Sequence, residues 1–150
     1  MFNTKLSRNF VAISLLALLT GCATPSFSPQ TEKAILPPLN LDEMYVRGIF
    51  NWWEAEPTYL LKASNDDYYS IVVDLIADGQ PYDFRLADEY WTPHKSCGAT
   101  QVMEVVNSVP LELYCAGDSK NLQFIPKVTG SYQFKVEQTD SSLTLVITKQ

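Results

Sequence analysis

The chain has 150 residues, of which 17 are acidic, 11 are basic and one is a histidine, and its formal net charge at pH 7 is −6. This length fits one globular domain, and the negative charge disfavours binding to the phosphates of nucleic acids. A single histidine excludes metal sites built from several histidines, and we expect neither a metal ion nor a cofactor.

The first 22 residues have the layout of a bacterial export signal. A short basic segment precedes an apolar run over residues 11–19, which is too short to span a bilayer of about 30 Å as a helix. The sequence Leu-Thr-Gly-Cys over residues 19–22 resembles the lipobox of bacterial lipoproteins, in which the cysteine is acylated after cleavage. The resemblance implies a signal peptide over residues 1–21, palmitate-type lipidation of Cys22 and, because Ala23 follows, a place in the outer membrane, on either face. An ordinary signal peptide with an incidental cysteine is the alternative.

Export also bears on the two remaining cysteines. Cys97 and Cys115 are 18 residues apart, and exported proteins fold in an oxidising compartment. We therefore expect a disulfide between them. The alternative is a catalytic thiol at Cys97 with His94 as its base.

The rest of the chain divides into a tether and a domain. Residues 22–41 combine the anchored cysteine with four prolines, which is typical of an extended linker. Residues 42–150 alternate apolar and polar positions between turn-forming segments, and this pattern predicts an all-β sandwich of about seven to nine short strands. The predicted strands cover residues 44–48, 58–63, 68–75, 82–87, 121–127, 131–137 and 142–148.

Residues 101–109 fit two types of element. Val102, Val105, Val106 and Val109 have helical spacing, which favours a helix. Four β-branched valines without alanine or leucine favour a strand instead. We predict a strand for this window.

Two aromatic segments resemble a known family. Residues 45–53 read Tyr-Val-Arg-Gly-Ile-Phe-Asn-Trp-Trp, and residues 79–91 run from Gly-Gln-Pro-Tyr-Asp-Phe to a third tryptophan. Together with Gly-Ala at 98–99 and Gly-Ser-Tyr-Gln-Phe at 130–134, they resemble the early-set, immunoglobulin-like modules that bind α-glucans. Members include the glycogen-binding domain of AMP-activated kinase and accessory modules of pullulanases and amylases. The resemblance implies an Ig-like sandwich that binds a neutral glucan.

The resemblance also suggests individual residues. Trp53 and Trp91 match the two tryptophans that stack on sugar in the kinase module. Arg85 stands where the related secreted modules carry lysine, whereas Asp83 occupies the position of the kinase module's binding lysine and departs from that pattern. For Trp52 the family implies no role.

The residue chemistry supports a sugar site independently of the family. A pyranose ring has a flat apolar face that an aromatic ring can cover, and polar neighbours can bind the hydroxyl groups at its rim. In an extended backbone Trp52 and Trp53 point to opposite sides, so at least one is expected to face solvent. We expect Trp91 and one of Trp52 and Trp53 to stack on the sugar. Asn51 and Arg85 are expected to orient it, and Asp88 and Glu89 are further polar neighbours that could bind its hydroxyl groups.

The predicted function is binding without catalysis. The sequence contains none of the common hydrolase motifs, and so small a domain has little room for a deep catalytic cleft. The predicted partners are a neutral oligosaccharide or polysaccharide and, through Cys22, the membrane. The alternative is a structural or protein-interaction lipoprotein of the outer membrane that keeps the fold without binding sugar.

Overall fold

The computed structural model describes residues 38–150. The predictions for the signal peptide, for lipidation of Cys22 and for most of the tether concern residues outside this range. In the described part, no helix is long and apolar enough to cross a membrane.

The described residues form eleven β-strands in two sheets, separated by turns and single 3₁₀ turns. The strands are β1 (Tyr45–Gly48), β2 (Lys62–Ala63), β3 (Tyr69–Leu75), β4 (Tyr82–Ala87), β5 (Cys97–Gly98), β6 (Met103–Glu104), β7 (Leu111–Glu112), β8 (Tyr114–Cys115), β9 (Leu122–Phe124), β10 (Gly130–Gln138) and β11 (Leu143–Lys149).

One sheet, here called sheet B, has the order β2-β3-β10-β11-β7. Its three central strands are seven to nine residues long and antiparallel, and they pair continuously. Buried and more exposed residues alternate along them because successive side chains of a strand point to opposite faces of the sheet. One face of sheet B therefore lies on the core.

The other sheet, sheet A, has the order β6-β9-β4-β5-β8, with β1 also paired to β4. Gly48 ends β1 beside β4, where a Cβ atom would lie 2.6 Å from the carbonyl oxygen of Asp83. Gly98 in β5 is tighter still, since its Cβ would lie 2.0 Å from the carbonyl oxygen of Lys120. These two glycines let neighbouring segments of sheet A approach closely.

Aromatic side chains from both sheets meet in the core. Phe84 of sheet A and Phe134 of sheet B pack edge to face, with ring centres 5.3 Å apart. Phe124 and Tyr132 make a similar contact at 5.2 Å. The structure is thus the predicted all-β sandwich, and the predicted disulfide joins Cys97 and Cys115 on the paired strands β5 and β8.

The elements differ from prediction in four places, one of which is the strand predicted at residues 121–127, where only Leu122–Phe124 is strand. The described residues contain eleven strands, more than the predicted number of about seven to nine, because five of the strands are only two residues long. Residues 58–63 begin with a 3₁₀ turn, Pro57–Tyr59, and only Lys62–Ala63 is strand. In the window 101–109, only Met103–Glu104 is strand, and it pairs parallel with β9.

Candidate functional site

The three tryptophans lie on two turns that follow β1 and β4. The first turn is locked by Asn51, whose side chain is only 2% exposed. Its Oδ1 accepts a hydrogen bond from the Gly48 amide at 2.8 Å, and its Nδ2 donates to the Val46 carbonyl at 3.0 Å. The Trp53 amide donates to the Gly48 carbonyl at 2.9 Å. The chain therefore folds back sharply and presents two consecutive tryptophans.

The second turn is held by Asp88, a buried carboxylate at the end of β4. It accepts hydrogen bonds from the Thr92 amide at 2.8 Å and from the Thr92 hydroxyl at 2.6 Å. Burial acts to raise the pKa of Asp88, but the Thr92 hydrogen bonds and the charge of Lys95, 3.9 Å away, outweigh it and hold the pKa below its ordinary value. Asp88 thus remains charged and fixes the turn that carries Trp91.

All three tryptophans have left-handed backbone conformations. The φ angles are 54° at Trp52, 63° at Trp53 and 57° at Trp91. Such angles are rare for bulky residues and cost of order 1–3 kcal/mol each, and they persist where the surrounding structure enforces them. This conformation also replaces the extended backbone from which we expected Trp52 and Trp53 to face opposite sides.

The turns bring two indole rings together. The ring centres of Trp53 and Trp91 are 6.1 Å apart, and the ring planes are tilted by 42°. Trp91 is 37% exposed, Trp53 is half-buried and Trp52 is 85% exposed. The result is a bent aromatic surface, here called the indole pair (Trp53 and Trp91). Trp52, the residue before Trp53, extends into solvent.

Arg47, on β1, connects both turns, and it is the site residue that the sequence analysis missed. Its Nε donates to the Trp53 carbonyl at 2.7 Å, and its Nη1 donates to the carbonyls of Asp88 at 2.8 Å and Glu89 at 3.1 Å. Its Cζ lies 4.1 Å from the centre of the Trp91 ring. Burial lowers the pKa of Arg47, and the nearby charge of Glu54 is the main opposing influence. In the sequence, the one indication that Arg47 has a special role is that it is a charged residue between apolar neighbours in a short predicted strand.

The predicted sugar-orienting residues lie in different surroundings. Asn51 is buried and bonded to the turn backbone. Arg85 lies opposite Arg47 in the register of β1 and β4, and its Nε donates to Asn121 Oδ1 at 2.6 Å. Burial lowers the pKa of Arg85. Glu89 is exposed. Direct contact of these residues with a sugar stays a prediction.

Residues 38–150 hold no group of three or more acidic, histidine or cysteine side chains that could bind a metal ion. His94 is exposed in the 3₁₀ turn Pro93–Lys95. Because Cys97 is bonded to Cys115, it has no free thiol for the nucleophile that was considered as the alternative to a disulfide.

Fold and site together define a disulfide-linked β-sandwich domain that exposes an aromatic surface on two turns. Neither a protein-family model nor a curated protein matches the sequence. A solved structure titled "Ligand induced structure of AmyP-SBD", which is a starch-binding domain, is similar with a TM-score of 0.53 over 93% of this chain and 96% of that chain. The identity is 16%, so the likeness shows that the two chains share a fold.

Proposed function

We propose that the protein is a non-catalytic, lipid-anchored module that binds neutral α-glucan oligosaccharides by aromatic stacking. The observation that carries the proposal is the indole pair, with ring centres 6.1 Å apart and Trp91 partly open to solvent. The fold shared with AmyP-SBD is consistent with this function. Lipidation of Cys22 and a place in the outer membrane complete the proposal and rest on the sequence alone.

The pair suits a sugar because of how each ring is exposed. A guanidinium group covers one face of Trp91, so its exposed surface lies on the remaining face and edges. A pyranose that covers this surface removes its own apolar face from water. The 42° tilt between the rings matches a chain that bends from one residue to the next, as α-1,4-linked glucose does, better than a flat ribbon.

The charges around the pair favour a neutral ligand. Glu54, Asp88 and Glu89 all lie close enough to Arg47 for their negative charges to act to raise its pKa. Arg47 itself is only 4% exposed, so the positive charge is withdrawn from solvent while Glu54 and Glu89 remain exposed. A uronic-acid or sulfated polymer would meet this acidic rim and be repelled.

Calorimetric titration of the full-length chain with maltoheptaose tests the proposal. The protein is kept in a detergent without a sugar headgroup, because a maltoside headgroup is itself a glucan fragment. We expect a dissociation constant of roughly tens of micromolar to millimolar, since a shallow surface buries little of the ligand. Trp91→Ala should abolish the heat.

Tyr114→Ala is the matched control, because Tyr114 lies on β8 with an exposure of 39%, close to the 37% of Trp91. Binding by this variant should equal that of the wild type. Heat that survives Trp91→Ala would refute the site, and no heat with the folded wild type would refute the ligand class.

A protein-interaction lipoprotein is the second candidate function. An apolar cleft of about 340 Å³ is lined by Leu39, Leu113, Tyr114 and Leu143 among others, and none of the three tryptophans lines it. Apolar surface of this kind also suits a protein partner. Absence of glucan binding together with loss of an envelope cross-link in Tyr114→Ala would favour this function.

A further inference from the structure

Arg47 makes an unusual set of contacts for a charged residue. Its side chain is almost completely buried, yet none of its three hydrogen bonds goes to a carboxylate. All three acceptors are main-chain carbonyl oxygens, one in the turn of Trp53 and two in the turn of Trp91. The guanidinium therefore connects the backbones of two turns whose tryptophans, Trp53 and Trp91, are 38 residues apart in sequence.

The same group also contacts a ring. Its Cζ lies 4.1 Å from the centre of the Trp91 indole, within the range of a cation–π interaction. Arg47 thus holds Trp91 twice, through the backbone at Asp88 and Glu89 and through the ring itself. It holds Trp53 through that residue's own carbonyl.

Burial of this charge is costly, and an apolar side chain would avoid that cost. What an apolar side chain cannot do is donate to both turns at once, because only a planar guanidinium presents several N–H groups in fixed directions. The chain nevertheless has arginine here. Simultaneous bonding of both turns is therefore what this residue supplies to the site.

We propose that Arg47 is the positioning residue of the indole pair, which sets the separation and tilt of Trp53 and Trp91 by bonding both turns and stacking on one ring. The inference deepens the proposed function, and it rests on that function only for its effect on sugar binding. The arrangement of the rings themselves is measured without any ligand.

Arg85 provides a matched control. It pairs with Arg47 across β1 and β4, so the two side chains share a face of sheet A. Burial lowers the pKa of both arginines. Arg85 bonds the side chains of Asn121 and Ser119 instead of the tryptophan turns. Replacing Arg85 removes the same charge without touching either turn.

The experiment measures the coupling between the two indoles by circular dichroism. Two indoles 6.1 Å apart and tilted by 42° produce a paired positive and negative band, and Trp53→Phe and Trp91→Phe identify it by abolishing it. The proteins are full-length Arg47→Met, Arg47→Lys, Arg85→Met and wild type. We expect Arg47→Met to lose at least half of the band amplitude and Arg85→Met to keep it.

Arg47→Lys separates charge from geometry. Lysine keeps a cation near Trp91, but its single ammonium group cannot reproduce the fork that bonds both turns. We expect a reduced band and glucan affinity weakened on the order of tenfold, as loss of charge-assisted hydrogen bonds would produce. Folded Arg47→Met and Arg47→Lys proteins with wild-type band and affinity would overturn the proposal.

A measurement on the unaltered protein covers the case in which these variants do not fold. The Nε–H proton of Arg47 should exchange slowly with solvent, and the Arg47 side-chain signals should be shifted by the Trp91 ring and return towards ordinary values in Trp91→Ala. A fast-exchanging, unshifted Arg47 would refute the proposal. If the wild type binds no glucan but the band of Arg47→Lys is still reduced, the proposed function fails while the positioning role stands.

Discussion

The two sheets of this domain differ in what holds them together. Sheet B consists mainly of three long strands in continuous register, and its residues alternate between core and surface. Sheet A is built from shorter strands, and its connections carry the three tryptophans. Main-chain pairing and apolar burial account for sheet B. The tryptophan turns depend instead on bonds from side chains to backbone, made by Arg47, Asn51 and Asp88. A stable scaffold and a shaped site are thus supported by different interactions, and substitutions can separate them.

The largest expected effect is on the scaffold. Phe134→Ala removes a fully buried ring on β10 that packs against Phe50, Phe84 and Phe124. We expect the free energy of unfolding to fall by about 3–5 kcal/mol, as measured by denaturant titration. Glucan affinity per folded molecule should stay unchanged. A selective loss of affinity would mean that the core of the scaffold also shapes the site.

Removal of the disulfide by the double substitution Cys97→Ala and Cys115→Ala is expected to cost about 3 kcal/mol of unfolding free energy, because the crosslink closes a loop of 18 residues. Denaturant titration of oxidised wild type and of the double variant measures the difference. The single variants under reducing conditions serve as controls. Equal stability with and without the crosslink would show that pairing of β5 with β8 suffices on its own.

Asn51→Ala removes two buried hydrogen bonds from the first tryptophan turn. We expect a loss of about 2 kcal/mol in unfolding free energy together with weaker glucan binding, since the turn loses its internal support. Asn51→Asp keeps the acceptor for the Gly48 amide but sets a buried carboxylate oxygen against the Val46 carbonyl, so its effects should be at least as large. Wild-type glucan affinity in a folded Asn51→Ala protein would show that glucan binding does not depend on the hydrogen bonds of this turn.

Asp88 makes the second turn sensitive to acid. Its pKa in the folded protein is lowered from the ordinary 3.8, so its contribution to stability is complete above pH 3.8 and is lost as the pH falls through the lower, folded-state pKa. Asp88→Asn should cost about 1 kcal/mol at neutral pH and should lack this part of the acid dependence. Thermal unfolding from pH 2 to pH 7 compares the two proteins. Parallel pH profiles would contradict the charged state assigned to Asp88.

The smallest expected effect concerns Trp52. Because the side chain is 85% exposed and the backbone is left-handed with φ of 54°, Trp52→Gly should leave stability unchanged or raise it by up to about 1 kcal/mol. Glucan affinity should fall if Trp52 touches the ligand. Trp52→Ala, which keeps the Cβ atom, controls for the relief of backbone strain. A loss of stability in Trp52→Gly would reveal packing of this indole on the domain.

The sequence predicted the scaffold better than the site, for physical reasons. Period-two alternation is a local property, and the strand predicted at residues 82–87 coincides with Tyr82–Ala87. The alternation also placed β10 and β11 to within one residue at each end. The segment 58–63 was less predictable because Pro57 begins a 3₁₀ turn.

The tryptophan turns could not be predicted locally. Aromatic residues disfavour left-handed backbone, so nothing in the neighbouring sequence indicates positive φ at Trp52, Trp53 or Trp91. Those angles depend on bonds from residues distant in sequence, above all Arg47 with Asp88 and Glu89. In the window 101–109, the valines carry no element because only Val105 is buried and the strand pairing covers Met103–Glu104 alone.

The outermost strands of the two sheets have a consequence for self-association. β6 and β8 end the main path of sheet A, and β2 and β7 flank sheet B, each only two residues long. β1, the remaining margin of sheet A, has four residues and is bridged at Tyr45 to Leu60. A second copy that approached one of the two-residue margins would find too few unpaired amide and carbonyl groups to extend the ladder. At high local concentration, these domains should therefore not form fibrils by strand pairing at the two-residue margins. This holds even though their central strands are long and rich in β-branched residues.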